Sequence, residues 1–232
     1  SAAALASGTP AHGAPHLGLG TSAWLGASLP ASKVNPLTGI GSLCDADGRD
    51  YLLIAAQENA GSCIRWAMQA MGFAPDDFDG FEALASAARP SSSAPLFLPW
   101  LMGERVPVDD KHVRGGFLAL DLGHTRADMA RAVYEGVAFN VRWAMSDFDR
   151  MAGSAGKPLR AVGGAAASNL WCRIFADVLQ RPIEPVEASV LGGARGAAMT
   201  AAVAAGWFKD LAAASRMARA ERSILPDASL AP

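Results

Sequence analysis

The sequence predicts an α/β chain with a mixed sheet flanked by helices. Three observations carry this. Short apolar runs separated by tight turns open the chain, a long amphipathic helix occupies its middle, and strand and helix patterns alternate twice towards its end. The opening runs read as antiparallel sheet and the closing alternation as partly parallel sheet, so the two together make a mixed sheet.

In order, residues 16–29 read as two short strands around Gly20-Thr21-Ser22, a hairpin or tight turn. Ile40 to Cys44 and Tyr51 to Ala55 are apolar runs joined by Asp45-Ala46-Asp47-Gly48, a strong turn signal that predicts antiparallel pairing. Ile64, Ala67, Met68 and Met71 recur at helical spacing, with Gly72 closing the run. Phe81 to Ala88 reads as a further helix stopped by Pro90, and Leu96 to Leu98 as a short buried strand. Gly103 to Pro107 and the pair Asp109-Asp110 read as polar loop, the aspartates solvated.

The longest helix begins near Thr125, with Asp128 placed to complete its N-terminal cap. Met129, Ala132, Val133, Gly136, Val137, Asn140 and Ala144 share one face, and Arg131 and Glu135 are spaced to pair. Beyond it come a strand at 159–162, a helix at 168–180, a strand at 183–186 and an alanine-rich helix at 193–205 ending on Gly206.

Composition bounds the function. A chain of 232 residues that is 51% hydrophobic and carries a net charge of −2 suits a globular fold and offers no electrostatic footprint for nucleic acid or an anionic membrane. The most apolar stretch, 196–206, is too short to span a bilayer, and no basic segment followed by an apolar run opens the chain. Three widely spaced cysteines form neither a disulfide framework nor a zinc pattern, which suits a reducing cytoplasm. Cys63 and Cys172 fall on apolar helix faces, suited to packing. His16, His112 and His124 lack ligand-spaced partners, so surface or capping roles are expected and no metal site.

Two glycine clusters are candidates for chemistry. Gly18-Leu19-Gly20-Thr21-Ser22 offers backbone N–H groups and two hydroxyls able to cradle phosphate, or is only a tight turn. Val162-Gly163-Gly164-Ala165-Ala166-Ala167-Ser168-Asn169 ends a strand and starts a helix on a capping serine. A nucleotide can lie against that backbone at a helix N-terminus, or the small residues serve close strand–helix packing. Neither cluster is a Walker A loop or a dinucleotide fingerprint, and there is no Gly-x-Ser-x-Gly elbow.

The order of the motifs is more specific than any one of them. Gly20-Thr21-Ser22-Ala23-Trp24 is followed by Ala60-Gly61-Ser62 with Arg65-Trp66, then by Phe97-Leu98-Pro99-Trp100-Leu101-Met102-Gly103-Glu104-Arg105-Val106-Pro107. Next come Arg114-Gly115-Gly116-Phe117, the run from Gly123 through Glu135-Gly136, Gly163-Gly164-Ala165 with Ser168 and Trp171, and Gly192-Gly193-Ala194-Arg195-Gly196. This succession, covering residues 14–208, resembles the C-terminal domain of FGGY carbohydrate kinases, most closely the xylulokinase-like branch.

The resemblance implies an actin-like ATPase (ribonuclease-H-like) lobe over residues 1–210, with a terminal helix and truncated tail over 211–232. It implies ATP and Mg²⁺ as cofactors and transfer of the γ-phosphate to a ketose, D-xylulose ahead of ribulose, other ketoses or polyols. Gly20, Thr21 and Ser22 match a phosphate loop. Gly61 matches a glycine whose backbone lies near the nucleotide, and Arg65 a side chain near the phosphates or ribose. Gly163, Gly164 and Ser168 match the adenosine motif, and Trp24 a wall of the sugar site. Ala119 departs from the family's usual glycine, and Gly164-Ala165 from its usual glycine pair.

The resemblance places the general base, an aspartate, before Ser1, with the first phosphate loop and most sugar contacts. No catalytic residue is therefore expected in this chain, and the N-terminal half of the same kinase is the expected partner, with a homodimer as a further possibility. A cytoplasmic, catalytically silent domain follows. The alternatives are a non-catalytic nucleotide-binding or assembly module and an unrelated α/β enzyme such as a dehydrogenase, which would need the fingerprint and acidic ribose ligand that are missing.

Overall fold

The structure, a computed structural model, describes residues 2–230. The chain opens with a short helix, α1 (Ala2–Ala6), and five strands: β1 (Pro15–Leu19), β2 (Ala23–Leu29), β3 (Val34–Asn35), β4 (Ile40–Cys44) and β5 (Tyr51–Gln57). Helices α2 (Gly61–Ala70) and α3 (Phe78–Ala87) follow, and then β6 (Leu96–Leu98) and β7 (Gly116–Leu118) on either side of an irregular loop. The remainder is α4 (Arg126–Ala152), β8 (Leu159–Val162), α5 (Asn169–Leu179), β9 (Ile183–Pro185), α6 (Gly192–Ala204) and α7 (Leu211–Ser215).

Seven strands form one sheet in the order β3-β4-β5-β2-β1-β8-β9. The hairpin strands β1 and β2 are antiparallel, with Leu17 opposite Leu25 and Gly18 opposite Trp24. β2, β5 and β4 continue antiparallel, whereas β1, β8 and β9 run parallel. The expected mixed sheet is therefore present, and β1 is the strand at which its antiparallel and parallel halves meet.

Strand periodicity puts Leu17, Leu25, Ala27, Leu53 and Ala55 in one core with Val133, Val137, Val141 and Phe148 of α4. β1 is nevertheless buried along its whole length, because α1 and α7 border His16 on the opposite face and the Trp24 ring covers Gly18. Burial on both faces is what a strand flanked by helices on each side requires.

The capping of α4 follows the sequence closely. Thr125 accepts from the Asp128 N–H, Asp128 accepts from the Thr125 N–H, and Gly153 ends the helix at φ +67°. Arg131 and Glu135 pair at 2.6 Å, both largely shielded from water.

Four expectations need correction. His16 is not a surface residue: it is 1% exposed on the helix-covered face of β1, and burial lowers its pKa to about 3. Leu96 to Leu98 is a strand, but only Phe97 of it is buried, because it pairs with β7 in a separate two-stranded ribbon rather than inside the main sheet. Asp109 is exposed, but its neighbour Asp110 is held by backbone bonds to Glu104 and accepts from the His112 N–H at 2.7 Å. Helix α1 is absent from the sequence expectation, because its alanines carry no amphipathic signal; it exists through packing on α6 and α7.

Candidate functional site

The hairpin tip is fixed from two sides by backbone. On one side the start of α2 grips it: the N–H groups of Ala60 and Ser62 donate to the Thr21 carbonyl at 2.9 and 3.1 Å, and that of Gly61 donates to Gly20 at 3.0 Å. These donors belong to a helix N-terminus and have no partner within the helix, so the carbonyls of the tip satisfy them. The approach is too close for a side chain, since a Cβ on Gly61 would lie 2.5 Å from the Gly20 oxygen.

On the other side stands Gly163, the last residue before a 3₁₀ turn at 164–167. Its φ is +113°, and a Cβ there would lie 2.2 Å from the Leu19 oxygen. The structure thus brings Gly20, Thr21, Ser22, Gly61, Gly163 and Gly164 to one end of the sheet, beside the β1–β8 boundary.

Within this cluster some groups are used by the protein and others are open. The missing side chains of Gly61 and Gly163 make room for protein backbone, so close packing accounts for both glycines. Gly164 differs: it is exposed, and nothing lies within 4 Å of where its Cβ would be. Thr21 is exposed at the tip. Neither its hydroxyl nor the N–H groups of Thr21 and Ser22 has a hydrogen-bond partner among the described residues. Two adjacent free N–H groups beside a free hydroxyl make a small donor set for an anion.

At the N-terminus of α5 the expected serine cap is present. Ser168 caps that helix by accepting from the Trp171 N–H at 3.0 Å, and the Glu82 carboxylate accepts from the Leu170 N–H at 2.9 Å. The protein's own carboxylate therefore occupies the positive end of α5, and only the 3₁₀ turn before it is left open. Arg65 lies one turn into α2, exposed, with its guanidinium 5.1 Å from the centre of the Phe78 ring. Trp24 lies on the helix-covered face of the sheet, between Gly18 and Gly26, its ring edge-on to His16 at 4.9 Å.

A buried polar group that the sequence places in a loop stands directly behind the clamp. Glu104 is 2% exposed and accepts from the N–H groups of Glu58 at 2.7 Å and Arg105 at 2.8 Å, and from Asn140 Nδ2 at 2.6 Å. Asn140 Oδ1 in turn accepts from the Trp100 indole at 3.1 Å. Burial pushes the Glu104 pKa up, while these N–H donors work against it by favouring the charged form. The available signal is Asn140, a polar amide in the middle of an apolar helix stripe, which demands a buried partner. Cys63 and Cys172 are inert packing groups, their thiols pushed up to about 12 by burial.

Residues 17–205 match the family model for the FGGY family of carbohydrate kinases, C-terminal domain. The chain is 34% identical over 161 residues to a xylulose kinase of Staphylococcus epidermidis, covering 69% of this chain and 32% of the relative. It is 31% identical over 212 residues to a xylulose kinase of Escherichia coli, covering 91% and 43%. A glycerol kinase of Citrifermentans bemidjiense is 34% identical over 175 residues, covering 72% and 35%. Among solved structures, a xyloylose kinase from Brucella ovis superposes with a TM-score of 0.87 at 30% identity, covering 99% of this chain and 46% of that one. The chain therefore spans less than half the length of these relatives. Its mixed sheet with helices on both faces is the actin-like ATPase arrangement of these sugar kinases. On the family match over most of its length, the chain belongs to the C-terminal domain of the FGGY carbohydrate kinases.

Proposed function

We propose that this chain is the nucleotide-binding half of an ATP-dependent sugar kinase that passes the γ-phosphate to a ketose hydroxyl, with D-xylulose the leading acceptor. The lobe comprises residues 1–210, with residues 211–232 following it, in a cytoplasmic enzyme completed by an N-terminal half. The observation that carries the reading is the open donor set at the tip, Thr21 Oγ1 with the N–H groups of Thr21 and Ser22, held beside the uncovered backbone of Gly164. A flat base can rest on Gly164 because no atom occupies that space, and phosphate oxygens can accept from the tip.

The residues then divide the work. Gly61 and Gly163 fix the tip. Thr21 and Ser22 donate to the phosphates, which favours charge developing there during transfer. Ser168 fixes the turn that carries Gly164. Arg65 reaches the phosphates or ribose by leaving Phe78, and Trp24 forms one wall of the sugar site. Bound ATP supplies the phosphoryl group and Mg²⁺ neutralises its charge. Among the described residues no group of three His, Cys, Asp or Glu side chains is placed to hold a metal ion, and Mg²⁺ is assigned no ligand in this chain.

Xylulose leads because relatives named xylulose kinase match the chain; a glycerol kinase and a gluconokinase match it as well, so the family alone does not choose the acceptor. The alternative is a nucleotide-binding or assembly module without catalysis. A coupled ADP-release assay with ketopentoses, glycerol and gluconate separates the two. The 232-residue chain alone is expected to bind ADP and turn over no sugar, and addition of the N-terminal half is expected to give turnover highest on xylulose. Turnover by the chain alone contradicts the division of labour, and silence of the reunited halves favours the non-catalytic module.

A further inference from the structure

The tip is held by residues 60–62, and that segment must itself be held. Immediately before it, the Glu58 N–H donates to Glu104 Oε1, and Asn59 Nδ2 donates to the Gly103 carbonyl at 3.0 Å. Immediately after it, Cys63 Sγ contacts the Pro99 carbonyl at 3.3 Å. The loop from Pro99 to Arg105 therefore backs the clamp at Pro99, Gly103 and Glu104, and Glu104 ties that loop to α4 through Asn140.

Each side-chain oxygen in this group has an N–H donor. Glu104 Oε1 takes two backbone N–H groups, Oε2 takes Asn140 Nδ2, and Asn140 Oδ1 takes the Trp100 indole. Every donor is an N–H, so the carboxylate serves purely as an acceptor and needs no proton. A buried network of this kind fixes one geometry, because any alternative leaves a polar atom unpaired.

We infer that Glu104 and Asn140 are a positioning pair that holds residues 59–62 against the hairpin tip and thereby sets where the phosphate-binding donors point. This rests on the nucleotide reading given above only for its ligand; the mechanical link from Glu104 to Thr21 stands on the hydrogen bonds alone. Neither residue touches the nucleotide. Their effect reaches the phosphates through the Ala60, Gly61 and Ser62 amides, and leaves the Gly164 side of the site alone.

The matching supplies its own test. In Glu104→Gln, one oxygen becomes an NH₂ that faces Asn140 Nδ2, donor against donor. Rotating the Asn140 amide only moves the conflict to the Trp100 indole. Adding Asn140→Asp restores every partner, since the new carboxylate accepts both from the amide introduced at position 104 and from the Trp100 indole.

Amide hydrogen exchange, with calorimetric titration of ADP and of adenosine, is measured on the parent chain, Glu104→Gln and the double variant. In Glu104→Gln, exchange at Ala60, Gly61 and Ser62 is expected to rise about tenfold, with Leu159 to Val162 unchanged. ADP affinity is expected to fall about tenfold while adenosine affinity holds, and the double variant is expected to recover both. Unchanged exchange at 60–62 overturns the inference. So does a uniform rise across the sheet, equal losses for ADP and adenosine, or a double variant no better than the single.

A parent chain that binds no ADP removes the nucleotide reading, and the exchange data still decide the positioning role. If Glu104→Gln does not fold, Trp100→Phe removes one donor and keeps an aromatic ring. It is expected to raise exchange at 60–62 alone by a few-fold, and no change there counts against the pair.

Discussion

The glycines at the site end of the sheet look alike in sequence and behave differently in the structure. Around the hairpin tip, Gly61 and Gly163 are required by the protein itself, since any side chain on either would strike a carbonyl of residues 19–20. One residue further on, Gly164 meets nothing. The difference shows that a glycine-rich turn is two things at once: a backbone joint that needs small residues and a surface left bare. What the missing Cβ would touch distinguishes them, and sequence alone cannot, because both are written as glycine.

The largest expected effect tests the joint. Gly163→Ala places a Cβ 2.2 Å from the Leu19 oxygen at a φ of +113°, a backbone region that L-residues rarely adopt. Such a clash with fixed backbone is expected to cost about 4 kcal/mol or to prevent folding. Urea denaturation of the variant checks this, and a loss below about 1 kcal/mol would mean that the tip is free to move away.

Next is Thr21→Val. The Thr21 carbonyl that holds α2 survives the change, and the hydroxyl has no partner among the described residues, so Tm is expected to stay close to the parent's. If the hydroxyl donates to a phosphate, ADP affinity falls about tenfold, the worth of a charge-assisted hydrogen bond of about 1.5 kcal/mol. Equal affinity would reduce the tip to a turn.

A third prediction concerns the helix-covered face of β1, where His16 is buried neutral with its pKa lowered to about 3. The unfolded chain takes up a proton near pH 6.5 and the folded chain does not, so stability is full above that value and is lost as pH falls towards 3. The expected slope below pH 6 is about 1.4 kcal/mol per pH unit from this residue. Urea midpoints between about pH 7 and pH 4.5 measure it. His16→Gln is expected to flatten the slope, and an unchanged slope would place the acid sensitivity elsewhere.

The smallest effect is at Ala119, which holds φ +57°. Ala119→Gly is expected to stabilise the chain by about 0.5–1 kcal/mol, because glycine adopts that region without strain. A loss of stability would show that the local backbone is relaxed as it stands.

Much of this was legible in the sequence for identifiable reasons. The α4 cap was readable from Thr125 and Asp128 because capping is local chemistry, and β4 and β5 from the turn that joins them. The family followed from motif order. What was not legible was set by distant partners. α1 has no pattern of its own, and His16 looked polar and therefore exposed. The N-terminus of α5 looked open because the sequence does not say that Glu82 reaches it. Glu104 was hidden among loop residues, although Asn140 on an apolar stripe pointed to a buried partner.

The central claim is that the nucleotide lies on the bare backbone of Gly164 with its phosphates at the hairpin tip. The most direct measurement is calorimetric titration of ADP into the parent chain and Gly164→Leu, with Tm taken on both. A leucine there is expected to leave Tm within about 2 °C, because its side chain enters open space. It is expected to abolish ADP binding, because the same space is the one the adenosine needs. Unchanged ADP affinity at equal Tm would contradict the account and move the nucleotide elsewhere on the domain.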